Sequence, residues 1–371
     1  MSALQEVLHQ GQHVWYDHLR RRLLDSGDLA RLVSLGVSGV TANPTILEQA
    51  ISKSPDYDGS IERAAAQVRT TEELYEGLVT EDIGHAADVL RPAYERSDGC
   101  DGFVSLEVSP YLANNTEATV REGRRWFSLL GRPNVMIKVP ATPAGIPAVG
   151  ALLAEGVNVN ITLIFSLEVY LQVMQAFLTG LELRLNRGYA IDRVASVASF
   201  FVSRVDVLVD SLLEDHRLGA NLRGQAGIAN ARLAYQLFQR EFAGERFSRL
   251  KRHGAQTQRL LWASTQPKHS EDSPLKYVQA LVAPDTVSTL SLETLQRLME
   301  ADDTLALAAM DRLSALEAQR YWDLLISAGI SPADVAERLL DEGLKKFQTS
   351  QMRLMQSLKT RWQRAHESPT I

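Results

Sequence analysis

The 371-residue sequence has little of several features that would point to particular classes of protein. A single cysteine, Cys100, excludes an internal disulfide and fits a reducing compartment, so we expect a cytoplasmic protein. No apolar run reaches about 18 residues, and the N-terminus MSALQEVLHQGQ is polar where a signal peptide is apolar, so no membrane association is expected. The net charge of −6 gives no support to a general nucleic-acid surface.

Signatures of bound metals and nucleotides are also missing. The sequence contains no metal-ligand spacing, no P-loop and no dinucleotide-binding glycine pattern, so nothing predicts a metal site. What remains is the composition of an ordinary globular protein, 45% hydrophobic and 23% charged, in a chain long enough to bury a large core. Composition leaves the oligomeric state open, and a homo-oligomer remains an alternative.

Short strand-like segments alternate with helical segments, of which 168–183 and 228–242 have the clearest period near 3.6. Strands that alternate with helices predict a parallel sheet, and eight such units predict a closed (β/α)8 TIM-type barrel with additional helices. The long gap after the second strand is expected to hold several helices, with a loop at 55–60. The predicted strands are HVWYD (13–17), GVSGVTAN (36–43), GFVSLEVS (102–109), NVMIKVPA (134–141), VNVNITLI (157–164), SVASFFVS (196–203), QRLLWAS (258–264) and TVSTL (286–290).

Beyond residue 290 the strand pattern stops and the sequence predicts only helices. We interpret residues 1–371 as a single domain, in which 13–290 form the barrel and 291–371 form a helical C-terminal extension packed on it. The last helix is expected to begin after Ser331, an N-cap residue that precedes a proline. An apolar stripe follows it, made of Val335, Leu339, Leu340, Leu344 and Phe347.

Polar and apolar side chains alternate along several of the predicted strands. If helices cover the outside of a parallel sheet, the polar faces line the barrel, where every buried polar group needs a partner. Half-exposed antiparallel strands with their polar faces in water are the alternative. Prolines 44, 110 and 140 mark strand ends, which places the polar residues toward the carboxyl ends, where barrel enzymes carry their chemistry. The polar faces carry Thr41 and Asn43, Ser105 and Glu107, Lys138, Asn160 and Thr162, and Ser199.

Lys138 stands in the middle of the apolar segment NVMIKVPAT (134–142), where lysine is rarely buried without a partner or a task. A lysine in a desolvated pocket is a candidate nucleophile that forms a Schiff base with a ketone. The iminium is an electron sink, so the adjacent carbon–carbon bond can break without a free carbanion. A snorkelling or salt-bridged lysine is the structural alternative.

The two proton transfers of such a reaction need acids and bases. Glu107 and Asp17 are the candidates, because each is the acidic residue on the inferred inward face of its strand. The structural alternatives are an ion pair of Glu107 with Lys138 and a loop or N-cap role for Asp17 before the helix-like DHLRRRLL. Asn43 could also serve only in a turn. Asn160 and Thr162 could satisfy each other as a polar pair.

The order of these motifs resembles the transaldolase family. VTANPTI, VSLEVSP, NVMIKVPAT, VNVNITLIFS and SVASFFVSRVD follow one another, and the likeness continues through LLWAST and VAPDTVSTL. It covers residues from about 13 to 290, while the length and the helical tail resemble the longer bacterial branch. A single motif such as ANPT is weak, but one motif for each barrel strand is specific.

The resemblance implies a transferase of the non-oxidative pentose phosphate pathway that acts on small sugar phosphates without a cofactor. A dihydroxyacetone unit would move from fructose 6-phosphate or sedoheptulose 7-phosphate to erythrose 4-phosphate or glyceraldehyde 3-phosphate. By motif position, Lys138 is implied as the Schiff-base lysine and Asp17 as the acid/base for bond cleavage. Glu107 is implied as the acid that works with a water in carbinolamine dehydration.

The resemblance also implies binding residues. Substrate hydroxyls, the water and the intermediate would be held by Asn43, Asn160, Thr162 and Ser199, with Phe201 as an aromatic lining. Arg204 would bind phosphate, which suits its forked guanidinium, although a salt bridge to Asp206 is the alternative.

The seventh strand departs from the family pattern. Long-type relatives usually continue with a glycine and a lysine-asparagine-proline turn, whereas this chain has WASTQPKHS, in which Gln266 and Pro267 alter the loop. Ser264 and Lys268 are phosphate candidates by position alone. Two rival functions stay open: a fructose 6-phosphate aldolase of the same superfamily, whose chains are shorter and lack the glutamate, and a non-catalytic sugar-phosphate-binding barrel.

Overall fold

The computed structural model describes residues 2–65, 67–215, 222–269, 271–302, 305–308 and 310–367. Eight parallel strands follow one another around a closed barrel, which confirms the predicted (β/α)8 fold and makes the antiparallel alternative wrong. The strands are β1 Gln12–Tyr16, β2 Val37–Thr41, β3 Phe103–Glu107, β4 Val135–Pro140, β5 Val159–Ile164, β6 Ser196–Phe201, β7 Arg259–Ala263 and β8 Thr286–Leu290. Seven of them lie within the predicted segments, and β1 begins one residue earlier.

Helices surround the barrel. Within the described ranges, no helix combines the length and the apolar composition that a membrane crossing needs. The helices are α1 Ala3–His9, α2 Arg21–Asp25, α3 Asp28–Leu35, α4 Pro44–Ser52, α5 Asp58–Ala65, α6 Thr71–Arg96, α7 Thr116–Leu130, α8 Gly145–Ala154, α9 Leu167–Asn186, α10 Ser203–Asp215, α11 Ala226–Phe242, α12 Glu245–Lys251, α13 Lys276–Ala280, α14 Leu292–Glu300, α15 Arg312–Ser327 and α16 Pro332–Glu367.

The predicted loop at 55–60 is wrong. A short 3-10 helix, Pro55–Tyr57, occupies its first half, and α5 begins directly after it. The Ser54 hydroxyl accepts a hydrogen bond from the Asp56 backbone N–H (3.1 Å), and the fixed φ of proline suits the first helical position. Turn-forming residues therefore start a helix here. The expectation of several helices between β2 and β3 is confirmed by α4, α5 and α6.

Apolar side chains divide between the outside and the inside of the barrel. Val135, Ile137 and Val139 of β4 point outward and join the core formed with the surrounding helices. Met136 points the other way and packs with side chains from five other strands, which can meet only inside a barrel. Those partners are Trp15, Phe103, Val197, Leu261 and Val287. The polar faces of the strands therefore lie inside, as predicted.

A glycine makes room for the largest interior side chain. A Cβ atom built on Gly39 would lie 2.4 Å from Trp15 Cδ2, which is closer than real contacts allow. Trp15 is fully buried and fills the interior beneath the polar residues. The barrel is thus plugged by apolar side chains in its middle, and polar groups occupy its carboxyl end.

Helix α16 lies across the carboxyl ends of the strands. It begins as predicted, with the Ser331 hydroxyl accepting from the Asp334 backbone N–H (3.3 Å), and its 36 residues make it about 54 Å long. The Ser350 hydroxyl lies 3.0 Å from the Thr45 hydroxyl of α4. After the neighbouring strand β3, the Tyr111 hydroxyl donates to the Gln348 carbonyl (3.1 Å). Residues after β8 thus form part of the roof over the barrel mouth.

Candidate active site

The three predicted catalytic groups come together at the carboxyl end of the barrel. Asp17 directly follows β1, Glu107 is the last residue of β3, and Lys138 lies within β4. Because β3, β4 and β5 are parallel neighbours, Glu107 pairs laterally with Lys138, and Lys138 with Asn160. Strand register therefore sets these side chains next to one another.

Lys138 and Glu107 form a buried pair. The Lys138 Nζ lies 3.6 Å from Glu107 Oε2, and only 5% and 7% of the two residues are exposed. Within the described chain, Glu107 Oε2 has no hydrogen-bond partner. Burial raises the pKa of Glu107 to about 7; Lys138 and Arg204 oppose the rise, and the negative charge of Asp17 adds to it. At neutral pH this carboxyl can therefore either give or accept a proton.

Asp17 is held by the neighbouring strands. Its Oδ1 accepts a hydrogen bond from the Thr41 hydroxyl of β2 (2.6 Å), and its backbone N–H donates to the Leu290 carbonyl of β8 (2.9 Å). The side chain is half-buried. The alternative that Asp17 caps a helix is wrong, because α2 begins at Arg21 with Arg20 in the N-cap position.

Asn160 lies at the centre of a buried polar chain. Its Nδ2 donates to the Ser105 hydroxyl (3.0 Å), and its Oδ1 accepts from the Ser199 hydroxyl (2.7 Å). These bonds fix the orientation of the amide, which has no exposed surface. Thr162 does not pair with Asn160, so that alternative is wrong. The buried Thr162 Oγ1 is instead without a partner in the part of the chain described, and it is free for a ligand or a water.

Asn43 has a structural task and a free donor. Its Oδ1 accepts from the Thr45 and Ile46 backbone N–H groups (3.0 Å each), so it is the N-cap of α4, which starts at Pro44. No hydrogen bond from Nδ2 to another described residue occurs. Asn43 therefore has the local structural role that the alternative expected, but the same side chain can also offer its amide N–H groups to a ligand.

Arg204 stands over an aromatic wall at the start of α10. Its guanidinium carbon lies 4.8 Å from the centre of the Phe201 ring, and Phe165, which follows the neighbouring strand β5, packs against that ring (5.1 Å between centres). The predicted alternative, a salt bridge to Asp206, is wrong. Asp206 instead accepts from the Tyr277 hydroxyl (2.6 Å) and from the Gly227 N–H (2.6 Å).

Ser264 and Lys268 follow β7. Ser264 has φ +56°, a left-handed conformation that is uncommon for serine and often occurs at functional sites. Its hydroxyl lies 2.8 Å from the Ser203 hydroxyl, which ties this loop to the start of α10. The exposed Lys268 has no ion-pair partner among the residues described. Partial burial and the positive charge of Arg204 lower the pKa of Lys268, and the negative charge of Asp17 opposes the shift.

Residues beyond those predicted also belong to this arrangement. Thr41 and Ser105 orient Asp17 and Asn160, and their places on the predicted polar faces were the available signal. Lys346 of α16 was not predicted at all. Its helix approaches Arg204 at Gly343, where a Cβ atom would lie 3.3 Å from Arg204 Nη1. Partial burial and the positive charges of Arg204 and Lys268 lower the pKa of Lys346. Only the path of α16 over the mouth reveals it.

A cavity of about 700 Å³ borders the mouth but does not contain the catalytic candidates. Leu163 and Phe165 form one wall, and Trp322 and Leu340 of α15 and α16 form another. Its lining is mostly apolar. The buried polar residues of the site therefore lie next to this cavity and do not line it.

The site combines an amine, a proton carrier, hydroxyl-binding groups and cations. A buried amine with a carboxyl of pKa about 7 at 3.6 Å can form and hydrolyse a Schiff base. Over the described ranges, no group of three or more His, Cys, Asp or Glu residues is placed to hold a metal ion.

The profile of the transaldolase/fructose-6-phosphate aldolase family matches residues 14–358. The chain belongs to this family. The match spans β1 to β8 and continues into α16, and it confirms the resemblance read from the motifs. All three catalytic candidates lie within the matched region.

Curated members of the transaldolase/fructose-6-phosphate aldolase family are similar over nearly the full chain. A transaldolase of Saccharopolyspora erythraea is 45% identical over 361 residues, covering 96% of this chain and 97% of that protein. A transaldolase of Thermobifida fusca is 46% identical over 349 residues, covering 93% and 94%. Transaldolase 2 of a Nostoc species is 40% identical over 373 residues, covering 96% and 97%. A crystal structure of 2,3-dimethylmalate lyase gives a TM-score of only 0.28 at 11% identity over 93% of this chain and 94% of that one, too low to support an argument.

Proposed function

We propose that this chain is a transaldolase, a transferase of the non-oxidative pentose phosphate pathway. It moves a dihydroxyacetone unit from a ketose phosphate, fructose 6-phosphate or sedoheptulose 7-phosphate, to an aldose phosphate. Similarity to proteins named transaldolase at 40–46% identity supports this function. The single structural observation that supports it most is the buried Lys138–Glu107 pair, with Nζ 3.6 Å from Oε2.

Lys138 is the proposed nucleophile. Its Nζ attacks the C2 carbonyl of the ketose, and loss of one water from the carbinolamine leaves an iminium. The amine must lose protons and the departing hydroxyl must gain one. Glu107, with a pKa of about 7, is suited to both transfers, directly or through a water. Its unpartnered Oε2 is the atom to which we assign this role.

Asp17 is the proposed base for carbon–carbon cleavage. It takes the proton of the C4 hydroxyl, the C3–C4 bond breaks, and the electron pair moves into the iminium to give an enamine. The aldose phosphate leaves as an aldehyde. Attack of the enamine on a new aldehyde reverses these steps, and Asp17 returns the proton. The Thr41 hydroxyl binds Oδ1, and Oδ2 has no hydrogen-bond partner among the described residues, so we assign this exchange to Oδ2.

The remaining polar side chains hold the intermediate. We assign the free amide N–H groups of Asn43, the oriented Asn160 amide and the unpartnered Thr162 hydroxyl to substrate hydroxyls and the water. Ser199 keeps Asn160 in place. We assign the substrate phosphate to Arg204, Ser264 and Lys268, with Phe201 as the apolar wall beneath the guanidinium.

The rival functions differ in what they release. A fructose 6-phosphate aldolase would liberate free dihydroxyacetone, and a sugar-phosphate-binding barrel would convert nothing. The decisive assay incubates the protein with fructose 6-phosphate, with and without erythrose 4-phosphate, and follows the products by mass spectrometry. We expect sedoheptulose 7-phosphate and glyceraldehyde 3-phosphate only when the acceptor is present. Steady release of dihydroxyacetone without acceptor would favour the aldolase, and no turnover would favour the binding protein.

The wider context follows from the same proposal. Because the iminium itself acts as the electron sink, we expect the reaction to need no cofactor. We place the enzyme in the cytoplasm, without nucleic-acid partners, and leave a homo-oligomer as an expectation to be tested by light scattering. We also propose that residues 1–371 form a single domain, with 13–290 as the barrel and 291–371 as an extension packed on it.

A further inference from the structure

Three cations from three separate elements lie at the barrel mouth. Arg204 comes from the start of α10, Lys268 from the loop after β7, and Lys346 from α16. None of the three forms an ion pair with a carboxylate in the described parts of the chain, whereas arginines such as Arg223, Arg246 and Arg338 do. The carboxylates of Asp17, Glu107 and Glu342 attract the Arg204 guanidinium at longer range, but none of them forms an ion pair with it. The three cations therefore repel one another without a paired counter-ion among the described residues, and this grouping needs an explanation.

A glycine in α16 brings Lys346 to this cluster. A Cβ atom on Gly343 would lie 2.9 Å from Leu163 Cδ2 and 3.3 Å from Arg204 Nη1, so the absence of a side chain allows α16 to pack closely on the mouth. Residues three apart in a helix lie on the same face, and Lys346 is three residues after Gly343. The buried Phe347 fixes the rotation of the helix next to it.

The charged neighbours of Lys346 are engaged elsewhere. Glu342 stands four residues earlier, in the favourable order for a Glu–Lys pair, but its Oε1 accepts from Arg338 Nε (2.9 Å). Lys345 donates to Asp341 Oδ2 (2.6 Å). Lys346 therefore has no ion-pair partner among the described residues, and partial burial, together with the positive charges of Arg204 and Lys268, lowers its pKa.

We propose that Lys346 is a phosphate-binding residue of the active site, which together with Arg204 and Lys268 selects phosphorylated over unphosphorylated sugars. This inference rests on the proposed transaldolase function and deepens it. A phosphate dianion placed among three cations replaces their mutual repulsion with attraction. It also makes α16 a direct part of the substrate site.

The test compares three single variants on two substrates. We expect Lys346→Ala to raise KM for fructose 6-phosphate about tenfold, the size of one lost hydrogen bond to a charged group, with kcat nearly unchanged. Lys346→Arg, which keeps the charge, should restore most of the affinity. Lys345→Ala is the matched control. It removes the same charge from the neighbouring residue, which forms a solvent-exposed ion pair with Asp341. For unphosphorylated fructose, kcat/KM of Lys346→Ala should stay within twofold of the wild type.

Two results would overturn the proposal while leaving the transaldolase function intact. One is an unchanged KM for fructose 6-phosphate in Lys346→Ala when the wild type is active. The other is an equal loss on both sugars, which would indicate a structural effect of α16 and no phosphate contact. A folded wild type without transferase activity would overturn both the function and the inference.

Discussion

Glu107 and Lys138 are lateral neighbours on β3 and β4, and their charged atoms lie 3.6 Å apart inside the barrel. The distance is short enough for strong electrostatic interaction but longer than a hydrogen bond. Burial raises the pKa of Glu107 to about 7 in spite of this nearby cation. The pair is therefore placed to exchange protons, and the carboxyl is not locked as a permanent counter-ion.

The rate of the reaction should follow the ionisation of Glu107. We expect kcat/KM of the wild type to change slope near pH 7, and Glu107→Gln to lower it by about 10²–10⁴-fold and to abolish that inflection. Asp17→Asn should move the inflection in the residual activity to lower pH, because the Asp17 charge contributes to the raised pKa. An unchanged inflection in Glu107→Gln, measured by initial rates between pH 5 and 9, would assign it to another group.

Stability should also depend on this carboxyl. The folded pKa of about 7 lies above the ordinary 4.5, so between these values the folded state holds a proton that the unfolded state releases. Stability is therefore lost as pH rises through this window, by up to about 3 kcal/mol. Glu107→Gln should not show this pH-dependent loss of stability, because glutamine does not titrate.

Urea unfolding at pH 5 and pH 8 measures that difference. The free energy of unfolding should fall more steeply with pH in the wild type than in Glu107→Gln. Parallel pH dependence in the two proteins would contradict the raised pKa.

Asn43 allows capping and substrate binding to be separated. Asn43→Ser keeps an N-cap oxygen for α4 but removes the amide N–H groups, so we expect stability within about 0.5 kcal/mol of wild type and an activity loss of about tenfold. Asn43→Ala removes the cap as well as the amide, so we expect it to lose activity and also about 1 kcal/mol of the free energy of unfolding. Thermal unfolding and steady-state rates measure the two effects.

Asn115 provides the control for that experiment. It caps α7 at an exposed position, where its Oδ1 accepts a hydrogen bond from the Ala118 N–H (3.0 Å). Asn115→Ala should lose a similar free energy of unfolding and keep full activity. A fully active Asn43→Ser would show that Asn43 serves only as a cap.

The barrel and the convergence of the proposed catalytic residues could be predicted from sequence, because both follow from short-range geometry. Period-two alternation places Lys138 and Met136 on one strand face, and the helices between strands make that face the interior. Asp17, Glu107 and Asn160 then converge because parallel strands end at the same edge. These relationships need no knowledge of long-range packing.

The contacts that sequence could not supply depend on distant segments. The periodicity of α16 predicts a buried apolar stripe, but it does not predict that Gly343 packs against Leu163 and Arg204. Nothing in the sequence except this glycine indicates that Lys346 lies near the site. The helix at Pro55–Tyr57 was missed because proline and serine favour turns and helix starts alike. The division of Asn43 between a cap and a free donor likewise requires coordinates.

Borohydride trapping tests the central claim, that Lys138 carries the Schiff base. The protein is incubated with fructose 6-phosphate, reduced with sodium borohydride, digested and mapped by mass spectrometry, with Lys138→Met as the control and circular dichroism to confirm folding. We predict a reduced dihydroxyacetone or hexose phosphate adduct on Lys138, no adduct in the variant, and a loss of activity in the variant greater than about 10³-fold. An adduct on another lysine, or none on the folded wild type, would contradict the mechanism.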